Sequence, residues 1–155
     1  MSGYALGGGS GGSGGSSGVS DEAGVEVRAS AALTAAYVAT TATDCRLFQA
    51  IDWEIFVTNK TGLATLFFGV QCSVLAAPDA GTGTDWFWVQ TETVAAGVAT
   101  ESNYEYSKSL AAEVAPFALG VSLLHTRGRW MRLMVRADAA DAASRCSVLA
   151  YRRAS

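Results

Sequence analysis

The chain has 155 residues, about half of them apolar and 16% charged, with a formal net charge of −3. This length suits one domain, and four Trp, five Tyr and six Phe are enough to build a core, which excludes global disorder. No apolar run reaches the roughly 18 residues of a membrane span. The longest, Leu63–Ala77, is interrupted by Gln71, and the acidic balance argues against nucleic acid as a partner.

Residues 1–24 read as a flexible Gly/Ser-rich N-terminal arm and residues 25–155 as the folded body. The start, M-S-G-Y-A-L, lacks a basic n-region and an apolar h-region, so no secretory signal is expected. The tract GGGSGGSGGSSG at residues 7–18 loses too much entropy on ordering to fold alone. It contains G-x-G-x-x-G at Gly7, Gly9 and Gly12, but no strand precedes it and no helix follows, so a dinucleotide site is rejected. Tyr4 and Leu6 are candidates for a small apolar anchor that docks on a neighbour; the plainer reading is a frayed terminus.

From Ala31 the pattern is mostly extended. Leu33–Thr41 suits a strand, although the Ala-rich stretch Ala29–Thr43 also suits a helix. Ile51–Thr58 alternates, with Ile51, Trp53, Ile55 and Val57 on one face and Asp52, Glu54, Phe56 and Thr58 on the other. Asn59–Gly62 is a turn, and Leu63–Leu75 reads as a strand buried on both faces. After the loop Pro78–Thr84, Asp85–Val94 returns as a strand with Trp86 and Trp88 opposite Phe87 and Val89. Gly97 punctuates, and Asn103–Lys108 forms the next strand, with Tyr104 and Tyr106 on one face. Val114–Leu124, around Pro116, is expected as loop plus a short strand. Arg129–Ala137 alternates Met131, Leu133, Val135 and Ala137 against Trp130, Arg132, Met134 and Arg136. Asp138–Ser144 is a loop or one helical turn, and Arg145–Arg153 closes with Cys146, Val148 and Ala150 opposite Leu149 and Tyr151.

About seven or eight strands joined by short turns predict an all-β fold, an antiparallel β-sandwich of which the jelly roll is one form. A solitary antiparallel sandwich keeps one face of each sheet wet. The two-sided apolarity of Leu63–Leu75 and of the Trp86–Val89 segment therefore predicts that another copy or a partner covers one side.

Catalytic chemistry finds little support. His125 is the one histidine, and no G-x-S-x-G elbow accompanies it, so no nucleophilic site and no enzyme is expected. Asp52 and Glu54 share a strand face, which is more simply a polar surface than a glycosidase pair. Asp79 and Asp85 bracket a Gly-Thr loop that reads as a turn rather than a calcium site. Cys45, Cys72 and Cys146 match no zinc spacing and read as small buried hydrophobes, though one pair could meet across a sheet. No metal or cofactor is expected. An exposed Trp86–Trp88 pair would instead suit a carbohydrate platform or a protein contact.

Charge is unevenly distributed. Residues 1–126 hold 4 basic and 12 acidic side chains, a balance of −8, whereas residues 127–155 hold seven Arg and two Asp, a balance of +5. Such a basic end suits contact between copies or with another acidic protein, with Arg129 and Arg132 as candidate contacts. The alternative is a solvated strand face carrying Arg132, Arg136 and Arg152.

Five segments carry a resemblance: L-T-A-A-Y-V at Leu33–Val38, D-W-E-I-F-V at Asp52–Val57, G-T-D-W-F-W-V-Q-T-E at Gly83–Glu92, N-Y-E-Y at Asn103–Tyr106, and R-W-M-R-L-M-V-R-A at Arg129–Ala137. Over residues 25–153 the chain resembles the small β-sandwich accessory proteins of tailed-phage virions, especially head decoration (cement) proteins. The resemblance implies a virion protein made in the host cytoplasm, a homotrimer that clamps major capsid protein or other virion subunits, and an N-terminal arm matching residues 1–30. It carries over no catalytic residue. The alternative expectation is a tail or fibre module that binds host-surface carbohydrate through Trp86, Trp88 or Tyr104.

Overall fold

The computed structural model describes residues 23–81, 83–123 and 125–154. The expected arm, with Tyr4 and Leu6, lies outside the described residues apart from Ala23 and Gly24. Twelve strands follow: β1 Val25–Leu33, β2 Val38–Ala39, β3 Thr43–Asp44, β4 Ala50–Asn59, β5 Thr65–Ser73, β6 Phe87–Trp88, β7 Gln90–Ala95, β8 Val98–Asn103, β9 Glu105–Ser109, β10 Phe117–Leu123, β11 Trp130–Ala137 and β12 Asp141–Arg153. A single 3-10 turn at Gly83–Asp85 is the only helical piece among the described residues.

The first sheet runs β1-β12-β4-β10. The second runs β2-β11-β5-β6, with β3 also on β11 and β9 also on β5. All pairings are antiparallel, and the two sheets face each other as a sandwich. The reason lies in the period-2 patterns. Ile51, Trp53, Ile55 and Val57 of β4 are all buried, while Asp52, Glu54 and Phe56 between them are half-exposed. Met131, Leu133, Val135 and Ala137 of β11 meet Leu66, Phe68, Val70 and Cys72 of β5 on the inner face of the second sheet. With Cys146, Val148 and Ala150 of β12, these side chains form one contiguous core.

Several boundaries differ from the sequence expectation. The Ala-rich stretch Ala29–Thr43 holds no helix; β1 ends at Leu33 and two short strands follow. The Trp segment is not one strand, since a 3-10 turn occupies its start and β6 and β7 are separated at Val89. The Val114–Leu124 region carries a full seven-residue strand, β10. Strand β12 begins at Asp141, because the Asp141 carboxylate accepts from the Thr61 and Ser144 hydroxyls at 2.8 and 2.7 Å and ties the β4–β5 turn to this strand. Strand β8 was not expected at all. It pairs with β7 through a two-residue turn, Ala96-Gly97, in which both residues have positive φ, 50° and 78°. Such a turn matches the right-handed strand twist, and glycine adopts it without strain.

Core and hairpin substitutions separate cleanly. Leu133→Ala, at a fully buried site, is expected to cost about 2–5 kcal/mol. Val98→Ala, on exposed β8, is expected to stay within about 0.5 kcal/mol. Urea unfolding followed by Trp fluorescence measures both.

Candidate functional site

The outer face of the second sheet carries the aromatic and basic side chains that the sequence singles out. Strand alternation directs Arg132 and Arg136 outward from β11, and Phe67, Gly69 and Gln71 outward from β5. The Arg132 guanidinium donates to Gln71 Oε1 through Nε at 2.9 Å and Nη2 at 2.7 Å, and to the Ala80 carbonyl through Nη1 at 2.8 Å. It also lies 4.0 Å above the Trp86 ring centre. Trp86 in turn donates from its indole nitrogen to the Asp79 carbonyl at 2.9 Å. The loop after β5 thus folds back and covers the sheet.

A second group adjoins the first. Arg136 lies 3.7 Å from the Phe67 ring centre and 5.1 Å from that of Tyr37. The Tyr37 hydroxyl donates to Glu105, whose carboxylate sits 3.7 Å from Arg136. Burial, reinforced by that carboxylate, pushes the Tyr37 hydroxyl up to about 12. Trp88 meets Tyr37 edge-on at 5.2 Å and presses onto Gly69. A Cβ at position 69 would collide with that indole, so glycine permits the close approach.

This placement changes the meaning of the two tryptophans. They share a face, as expected, but they are no open platform: Trp86 is 5% exposed and Trp88 is half-buried. Phe87, between them, is the exposed one at 48%. Strand β5 is buried on both sides from Phe68 to Ser73 by this chain's own residues. Covering it therefore needs no second copy.

The charge asymmetry also resolves within the chain. Arg132 is 6% exposed and fully engaged as described. Arg129 stacks near Trp130 and approaches Asp44 at 4.0 Å. Arg145 donates to the Ser30 carbonyl, Arg152 to the Asp44 carbonyl, and Arg153 to Asp52. Arg129, Arg145, Arg152 and Arg153 thus reach back to earlier segments, to the Asp44 and Asp52 carboxylates and to the Ser30 and Asp44 carbonyls. Asp52 and Glu54, the carboxylate pair, are held separately by Arg153 and by the Tyr151 hydroxyl. Asp85 accepts from the Asp79 amide and Asp79 from the Gly81 amide, which makes that segment a turn. His125 is exposed. The three cysteines are free and buried, and no cluster of three or more His, Cys, Asp and Glu exists among the described residues.

What remains outward is the β7–β8 hairpin, which forms a two-stranded sheet of its own, with β8 exposed along its whole length. An open cleft of about 370 Å³ lies at its base, lined by Cys72, Phe87, Gln90, Glu92, Glu101 and Arg127. Glu92 and Glu101 stand directly opposite in the ladder, an arrangement that disfavours the isolated hairpin. Sequence reasoning missed this element. Its one signal is Gly97 within the two-residue turn, since β8 has no buried face to impose a hydrophobic alternation. Comparison with protein-family models and with curated proteins finds no match for this chain.

Two outcomes follow from this geometry. Arg132→Met leaves Gln71 and the Ala80 carbonyl without their donor and is expected to destabilise by about 1–3 kcal/mol, with a red shift of Trp emission from Trp86. Alkaline pH should also weaken the fold. Burial raises Cys45 to about 12 and Cys72 to about 11 from 9.0, and Tyr37 to about 12 from 10.0. The unfolded chain releases these protons first, so their stabilising contribution is complete below about pH 9 and is lost as pH rises through 11–12. Urea midpoints between pH 8 and 11 should fall steadily, and Ellman's reagent should find the three thiols only after unfolding.

Proposed function

We propose that this chain is a non-enzymatic structural protein of a virus particle, which decorates a phage capsid and stabilises it by associating with itself and with capsid subunits. The observation that carries the reading is the β7–β8 hairpin. It is extended and solvent-exposed, pairs with no other sheet among the described residues, and presents Val98 at 64% exposure. A lone two-stranded hairpin is marginally stable in water, and a surface that adds contacts along it offsets that weakness. A rigid sandwich carrying such an arm is suited to bridging subunits.

The resemblance to head decoration proteins supplies the kind of surface and the favoured trimer. The mechanism is mechanical. Modest contacts repeated at many lattice points raise the effective concentration of each copy and resist detachment.

The test is co-sedimentation of the full chain with empty shells assembled from a tailed-phage major capsid protein. Saturable binding at a fixed number of copies per shell is expected. Val98→Asp should weaken binding at least tenfold while leaving thermal unfolding unchanged. A chain that stays in the supernatant at every concentration would overturn the reading.

A further inference from the structure

The edges of the two main sheets are unequal. Short or charged edge strands and bulges prevent strands of different molecules from pairing. In the first sheet, β1 is broken by three register shifts against β12. In the second, β2, β3 and β6 are two residues long, and β9 carries Glu105 and Lys108. Strand β10 has none of these guards. Its seven residues, F-A-L-G-V-S-L, bear no charge and pair with β4 in unbroken register, and among the described residues no strand lies on its other side. Its inward apolar side chains Phe117, Leu119 and Leu123 remain half-exposed although they pack on the core. A cleft of about 270 Å³ beside this edge is lined by Tyr104, Tyr106, Gly120, Val121 and Ser122.

We propose that β10 is a self-pairing edge, where the β10 strands of two copies join antiparallel about a two-fold axis at Gly120 and extend the first sheet across both molecules. The sequence is self-complementary in that register. Phe117 faces Leu123 and Leu119 faces Val121 on the core side, while Ala118 faces Ser122 and Gly120 faces Gly120 on the outer side. Apolar thus meets apolar, small meets small, and the absence of charge removes any like-charge contact at the axis. Pairing satisfies a row of backbone donors and acceptors, about six to eight hydrogen bonds in all, and covers the half-exposed side chains at the sandwich mouth. A charged or bulky edge on an unrelated partner would forfeit this match. The contact is two-fold, so it is separate from the threefold association that the resemblance implies, and it does not depend on the capsid reading.

Gly120 gives the test, because a Cβ there meets open space and substitution leaves the subunit intact. Sedimentation of the full chain should show concentration-dependent pairing, and Gly120→Glu should weaken it at least tenfold with unchanged circular dichroism and only a slightly lower unfolding midpoint, since the new carboxylate faces Glu54 on β4. Gly120→Cys should give a reducible covalent dimer under mild oxidation, since facing Cα atoms about 4.5–5.5 Å apart lie within disulfide reach. The native thiols are buried and do not compete. A mixture of Ala118→Cys and Ser122→Cys chains should cross-link far faster than either alone. Equal mass for wild type and Gly120→Glu, with no cross-link from Gly120→Cys beyond that from Val98→Cys, would overturn the inference. If Gly120→Glu keeps its mass but no longer binds shells, the edge belongs to an extended capsid segment and self-pairing is wrong. Shell binding that survives in a strictly monomeric chain would likewise sink this inference and leave the capsid reading standing.

Discussion

The fold depends on closing both faces of β5. Its inner side chains enter the sandwich core, and its outer side would otherwise present backbone and Gln71 to water at the centre of the second sheet. The chain closes it with arginines set among aromatic rings. Arg132 engages Gln71, the Ala80 carbonyl and the Trp86 ring together, so one planar cation fastens a neighbouring strand, a loop and an aromatic ring. Lysine has no equivalent geometry, because its ammonium is a compact point donor. Desolvation lowers the pKa of this guanidinium from its ordinary value, yet the group starts so high that it stays charged.

The same economy explains where the basic side chains go. Strands β11 and β12 are the last two in the chain, and each sits between earlier strands. A strand that lies between two others has polar groups of both within reach. Arg145, Arg152 and Arg153 reach Ser30, Asp44 and Asp52 from β12, and Arg129, just before β11, approaches Asp44. Much of the uneven charge distribution is therefore used within one molecule: Arg145 and Arg153 tie β12 to its neighbours in the first sheet, and Arg152 reaches the Asp44 carbonyl of the second.

How far the sequence was legible follows from the same physics. β4 and β11 are readable because a buried face forces alternation of bulky side chains, seen in Ile51–Val57 and Met131–Ala137, and β5 because a strand covered on both faces reads as a long apolar run. β8 is not, since V-A-T-E-S-N buries nothing and so carries no period. The outer cover of β5 was also hidden. A loop rich in Gly, Thr and Ala announces a turn, and nothing local says that Trp86 will lie beneath Arg132 from a distant strand. The two-sided apolarity of β5 is legible in the sequence; that a loop of the same chain supplies the cover is not, because a loop can act as a layer. For the proposed binding surfaces, the Trp86–Trp88 pair offers no open platform, and the hairpin and the β10 edge carry only missing burial and missing charge as signals rather than any motif.

Gly24 lies against the ring of Tyr151, with room for no Cβ: its nearest ring atom would stand 2.6 Å away. The chain therefore enters the body over β12 and runs into β1, at the border of the first sheet opposite β10. In a two-fold pair joined through β10, the two entry points mark the outer limits of eight consecutive strands, ~34 Å apart at ordinary strand spacing. Whatever residues 1–22 engage, a pair of this kind would offer them as two handles at a fixed separation, wide enough to reach separate subunits on a shell.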